Sequence, residues 1–147
     1  MKIFNTQFEV SMRILLLLSV YRQGLDQDRI QYLDFFTIYA KNYRLGNENI
    51  NGNSSFMLND LTEQHALFRD SIKELVVQGL ITVKYTNQGF LYNISPEGIE
   101  VCSKMSSDYS VIYKKNSNLV KETIDYTSFH ELKSYAKKLE GIKDEIY

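Results

Sequence analysis

Few residues in this chain have the type and spacing that chemistry needs. The two histidines, His65 and His130, lie far apart, and neither has a metal-ligating residue three or four places away on its own helix. Cys102 is the single cysteine, so no internal disulfide forms; with no His or second Cys beside it, it reads as core filler in a reducing compartment. No glycine-rich loop follows a strand to cradle a phosphate. No serine or cysteine has an elbow motif or a neighbouring base. The carboxylates are scattered. These observations predict no catalytic residue, no metal and no cofactor. The remaining polar residues of interest are Glu9, Arg13 and Asp34, set beside apolar stripes, where a carboxylate or guanidinium must find a partner.

The elements that position them follow from periodicity. Residues 8–22 read as a helix around Ile14-Leu-Leu-Leu-Leu18, apolar on more than one side and so covered on more than one side. The run is too short to span a bilayer and lacks a basic leader and a cleavage site, so a buried helix in a cytoplasmic protein is expected. Asp26 caps a second helix over about 27–42. Glu9 and Arg13 are four apart and pair either as a surface ion pair or, with Asp34, as a structural polar cluster between the two helices. Asp34 is read equally as an ordered surface aspartate. Residues 43–59 are rich in Asn and Gly and predict a long loop, in which Phe56-Met-Leu58 adds a short strand.

The most legible stretch runs from Asp60 to Gly98. Leu61, Leu67, Phe68, Ile72, Leu75, Val76 and Leu80 form one helical stripe, opened by Asp60 with Glu63 in capping-box spacing and closed by Gly79. Two β-branched and aromatic runs, about 81–86 and 89–95, flank the turn Asn87-Gln-Gly89. Ser95-Pro96 then opens a helix to about Met105. A further stripe from Tyr109 to Ile124 is expected to break at Asn116-Ser-Asn118. Ser128 and Glu131 cap a last helix carrying Phe129, Leu132, Tyr135, Leu139, Ile142 and Ile146, a stripe that is a candidate partner-binding face. The fold class is therefore mainly α with a small β-hairpin wing. It is a winged-helix-like domain over 1–105 with a C-terminal helical extension over 106–147, packed on it or on a partner.

Charge narrows the binding partners. The net charge is −1 and the pI about 6.1. From Asp60 to Ser103 six acids oppose Arg69, Lys73 and Lys84, a net of −3. A helix and wing that grip DNA unaided should be basic. These three cations are candidate weak nucleic-acid contacts only.

The beginning of the chain carries a more specific pattern. Asn5-Thr6-Gln7-Phe8-Glu9, Arg13, Leu15–Leu18, Leu25-Asp26-x-Asp28-Arg29 and Leu33-Asp34-Phe35 resemble the opening of the middle-component family of bacterial ABC three-component systems. The helix ending in Val77-Gln-Gly79-Leu80-Ile81 is similar as well. Gln7 stands where that family usually has proline, and its Ser-Leu-His-Pro and paired-arginine segments are not present. The resemblance implies an accessory subunit beside an SMC/RecN-like ABC ATPase and an effector, with Lamassu-type anti-phage systems among the members. Two functions are thus expected to compete. One is a non-enzymatic adaptor that reaches DNA only through its complex. The other is a winged-helix transcriptional regulator that forms a homodimer through its last helices. Tight duplex binding by the isolated chain would favour the second.

Overall fold

The computed structural model describes residues 6–40, 61 and 63–146, with side chains described up to residue 137. The helices are α1 (Gln7–Tyr21), α2 (Gln27–Ile38), α3 (His65–Val77), α4 (Pro96–Ser103), α5 (Asp108–Thr123) and α6 (Phe129–Ile146). Strands β1 (Ile81–Thr86) and β2 (Gly89–Ile94) form an antiparallel hairpin between α3 and α4.

The molecule is built around α1, which packs against α2, α3, α4, α5 and β2. Its apolar run needs that many neighbours: Ile14 to Leu18 are each no more than 1% exposed. Each such side chain contributes about 1.5–3 kcal/mol on burial. Thr6 starts the helix, its Oγ1 accepting from the Glu9 amide at 3.2 Å. Arg22 ends it in the left-handed region, at φ 55°, with its N–H donating to the Leu18 carbonyl at 3.1 Å.

The chain then adds a rung to the hairpin. Leu25 and Tyr92 exchange backbone hydrogen bonds of 3.1 and 2.9 Å, so the linker between α1 and α2 lies along the outer edge of β2. The order helix, rung, helix, helix, hairpin is winged-helix-like, as the wing signal predicts. Asp26 caps α2 by accepting from the Arg29 amide at 2.8 Å. The helix ends at Ile38, before the expected boundary near 42, and Tyr39 already has non-helical dihedrals. The expected 43–59 loop, the Phe56–Leu58 strand and the Asp60 cap lie outside the described residues. The main body of α3 starts at His65, behind Gln64, which makes no side-chain cap. His65 Nδ1 and Gln31 Oε1 share a hydrogen bond of 2.9 Å, and Gln27 Nε2 donates to the His65 carbonyl at 3.0 Å, which joins α3 to α2.

Ser95 fastens the base of the wing. Its amide donates to the Leu80 carbonyl at 3.0 Å, its hydroxyl to the Gly79 carbonyl at 2.7 Å, and its Oγ accepts from the Gly98 amide at 3.0 Å. One side chain thus closes α3 and caps α4.

The expected break at Asn116-Ser-Asn118 does not occur, and α5 runs through it. The reason is that its polar groups are satisfied within the fold, Asn116 and Ser117 in the interior and Asn118 on the exposed face. Ser117 Oγ donates to Thr37 Oγ1 at 3.3 Å, Thr37 donates to the Leu33 carbonyl at 2.7 Å, and Asn118 Nδ2 donates to the Lys114 carbonyl at 3.0 Å. Local hydrogen bonds of this kind keep small polar residues compatible with a helix. Ser128 Oγ accepts from the Glu131 amide at 3.2 Å and opens α6, as expected.

Candidate functional site

Arg13 and Asp34 meet inside the protein. Arg13 stands mid-way along α1, fully buried, and Asp34 on α2 is nearly so. Arg13 Nε donates to Asp34 Oδ1 at 3.0 Å and Nη2 to Oδ2 at 3.2 Å, a two-pronged pair. A third residue completes it: Tyr113 on α5 donates its hydroxyl to Asp34 Oδ1 at 2.6 Å. Burial opposes the Arg13 charge, and Asp34, with help from Tyr109 and Tyr113, more than restores it, so the guanidinium stays ionised. Burial and then the Asp34 charge hold the Tyr113 proton far above the usual tyrosine range. Tyr109 lies near the guanidinium without hydrogen-bond geometry; burial pushes its pKa up to about 12 against the pull of Arg13. Glu9 stands one turn before Arg13, half-buried, within the Thr6 cap.

This arrangement binds three helices together rather than presenting a reactive group. The carboxylate accepts from a cation and a phenol, and the crevice that Asp34 lines together with Gln31, Tyr39 and Phe68 has a volume of about 10 Å³, room for a water and not for a substrate. Cys102 is buried as well, and burial pushes its thiol up, against smaller effects of Ser19 and Lys114. Among the described residues no group of His, Cys, Asp and Glu is placed to hold a metal ion, and no helix is long and apolar enough to cross a membrane.

The surfaces of α3 and the wing are sparse in positive charge. Arg69 on α3 pairs with its neighbour Asp70 at 3.2 Å, while Lys73 and Lys84 are exposed. The wing instead presents apolar groups. Val83, Tyr85 and Phe90 are 45%, 76% and 55% exposed. They share one face with the buried Ile81, and the Tyr85 and Phe90 rings meet edge to face at 5.2 Å. On α6, Leu132 is buried within the chain. Phe129 sets its ring against Tyr32 at 5.5 Å, and Tyr135 against Phe36 at 5.9 Å. The side chains of Leu139, Ile142 and Ile146 lie outside the described ones.

The family model for middle component 2 of ABC three-component systems matches residues 3–141. The chain belongs to that family. Neither comparison with curated proteins nor comparison with solved structures gave a match. The middle component therefore carries its Arg13–Asp34 pair within the matched region, and so too the Tyr113 that completes it. Sequence reasoning named the first two residues and missed the third. Tyr113 was legible only as one member of an apolar stripe, and nothing local in sequence marks its hydroxyl as the partner of a residue on α2.

Proposed function

We propose that this middle component is a non-enzymatic adaptor. One face docks on an SMC/RecN-like ABC ATPase and another holds an effector, in a cytoplasmic anti-phage system of the Lamassu type. Membership of a three-component family over residues 3–141 carries this reading, since a component of such a system works with protein partners. The α3 and wing surface supports it. Arg69, Lys73 and Lys84 are outnumbered by acids, and an exposed aromatic pair tips the hairpin, a surface composition suited to protein contacts. In this reading residues 1–105 form the winged-helix-like body, 106–147 the extension packed on it, and the far end of the α6 stripe docks a partner or a second copy. DNA is reached only through the complex.

Two measurements test the proposal. Co-expression with an SMC/RecN-like ABC ATPase subunit from the same three-component system should give a complex that survives gel filtration. The isolated chain, titrated against duplex DNA at about 150 mM salt, should bind no tighter than the non-specific range of about 10⁻⁴–10⁻⁶ M. Nanomolar, sequence-selective binding by the isolated chain would replace the adaptor with a homodimeric winged-helix regulator. Failure to co-purify with the ATPase would remove the docking claim.

A further inference from the structure

A second feature lies away from the wing and away from α6. A cleft of about 360 Å³ opens where the end of α1 meets α4 and α5. That volume falls in the range of small-molecule sites. Ile99 and Cys102 belong to its apolar wall, and its charged lining consists of Arg22 and Lys114, with no carboxylate. Neither cation has an ion pair among the described residues. Glu100 on α4 pairs with Lys104 at 3.5 Å.

The neutral polar groups of the cleft are committed in one direction. Ser19 donates its hydroxyl to the Leu16 carbonyl at 2.6 Å, and Ser103 donates to the Glu100 carbonyl at 2.6 Å. Their protons are used, so what the two hydroxyls have left for a ligand is lone pairs, those of Ser19 next to the Cys102 thiol. The chemical complement is a small molecule with an anionic end for the cations, donor groups for the serines and some apolar surface for Ile99.

Arg22 adds an independent observation. It is the one described non-glycine residue with a positive φ. Its place at the end of α1 is one that glycine fills without strain, and Gly24 stands only two residues later. The chain keeps an arginine in the strained slot, where its side chain lines the cleft.

We propose that this cleft binds a small phosphate ester of mononucleotide type. The phosphoryl group sits on the Arg22 and Lys114 side, and the polar remainder lies against Ser19 and Ser103. The proposal does not depend on the adaptor reading, because the purified full chain alone tests it.

The experiment is calorimetric titration with AMP, with inorganic phosphate and a short duplex DNA as separate arms. AMP should bind saturably and more tightly than phosphate. Arg22→Gly relieves the left-handed strain, so its melting temperature should equal or exceed that of the parent while AMP affinity falls about tenfold or more, the loss of one charge-assisted hydrogen bond. Lys114→Ala should weaken AMP similarly. No saturable AMP binding, or binding that both variants leave unchanged, overturns the site. Phosphate binding as tightly as AMP overturns the ester assignment. Duplex DNA that displaces AMP and loses affinity in both variants makes the cleft part of a nucleic-acid surface, and overturns the small-molecule proposal too.

Discussion

Arg13 and Asp34 meet through two parallel N–H···O bonds, a fork that lysine cannot reproduce. Removing one side of a buried pair leaves the other charged and stranded, at a cost of about 3–5 kcal/mol. Arg13→Ala should therefore lower unfolding stability in urea by about that amount, while Arg13→Met combined with Asp34→Leu and Tyr113→Phe should cost less, because no buried charge or phenol is orphaned. An Arg13→Ala midpoint equal to that of the parent would mean the pair is energetically idle. At this scale the sequence was partly readable. A guanidinium inside an apolar helix and a carboxylate beside an apolar stripe announce that each needs a partner. Tyr113 gave no such sign, for it is 79 residues from Asp34 and tyrosine is at home on any half-apolar stripe.

Elements meet most closely at the foot of the wing. A Cβ on Gly98 would lie 2.2 Å from the Leu80 carbonyl oxygen and 2.7 Å from Ile94 Cγ1. Only glycine lets α4 approach the α3–β1 junction where Ser95 ties it down. Gly98→Ala should push α4 off that junction, with a stability loss of about 1–3 kcal/mol of overpacking. It should also speed amide exchange in β1 and β2. Unchanged exchange in the hairpin would show that the junction yields elsewhere. Element ends were legible where their cause is local: Asp26, Ser95 and Ser128 each cap an amide three residues on. The continuous α5 and the Leu25 rung were not. Whether Asn116–Asn118 breaks a helix depends on what α2 offers Ser117, and one backbone rung leaves no periodicity to read.

The molecule as a whole carries buried phenols in two of its helices. Tyr21 on α1 and Tyr109 and Tyr113 on α5 all have their proton loss shifted upward, with burial the leading cause in each. In the unfolded chain a tyrosine ionises near pH 10. Below that pH both states keep these protons and the shifts make no difference to stability. Above it the unfolded chain sheds protons that the native protein retains, so stability falls as pH rises, through about 12 for Tyr109 and beyond for the other two. Urea midpoints taken from about pH 9 to about pH 11 should decline, and the decline should be shallower in Tyr21→Phe. A flat series would refute it. The centrality of α1 was visible in its all-round apolar surface, but the identity of its covering helices was not, since amphipathic stripes do not name their partners.

That central position has a consequence while the protein is being made. α1 leaves the ribosome long before α5, and α5 supplies both one wall of its covering and the phenol that completes the Asp34 carboxylate. About 100 residues separate the ends of the two helices, and at 5–20 residues per second that is a delay of about 5–20 s. Throughout it, α1 lacks the wall that α5 supplies, while α2, α3 and α4 emerge one after another to cover the rest of its apolar surface. A nascent chain of this design gains from a holding chaperone, or from another component of its system already present, that keeps the open side of α1 from finding the wrong neighbour.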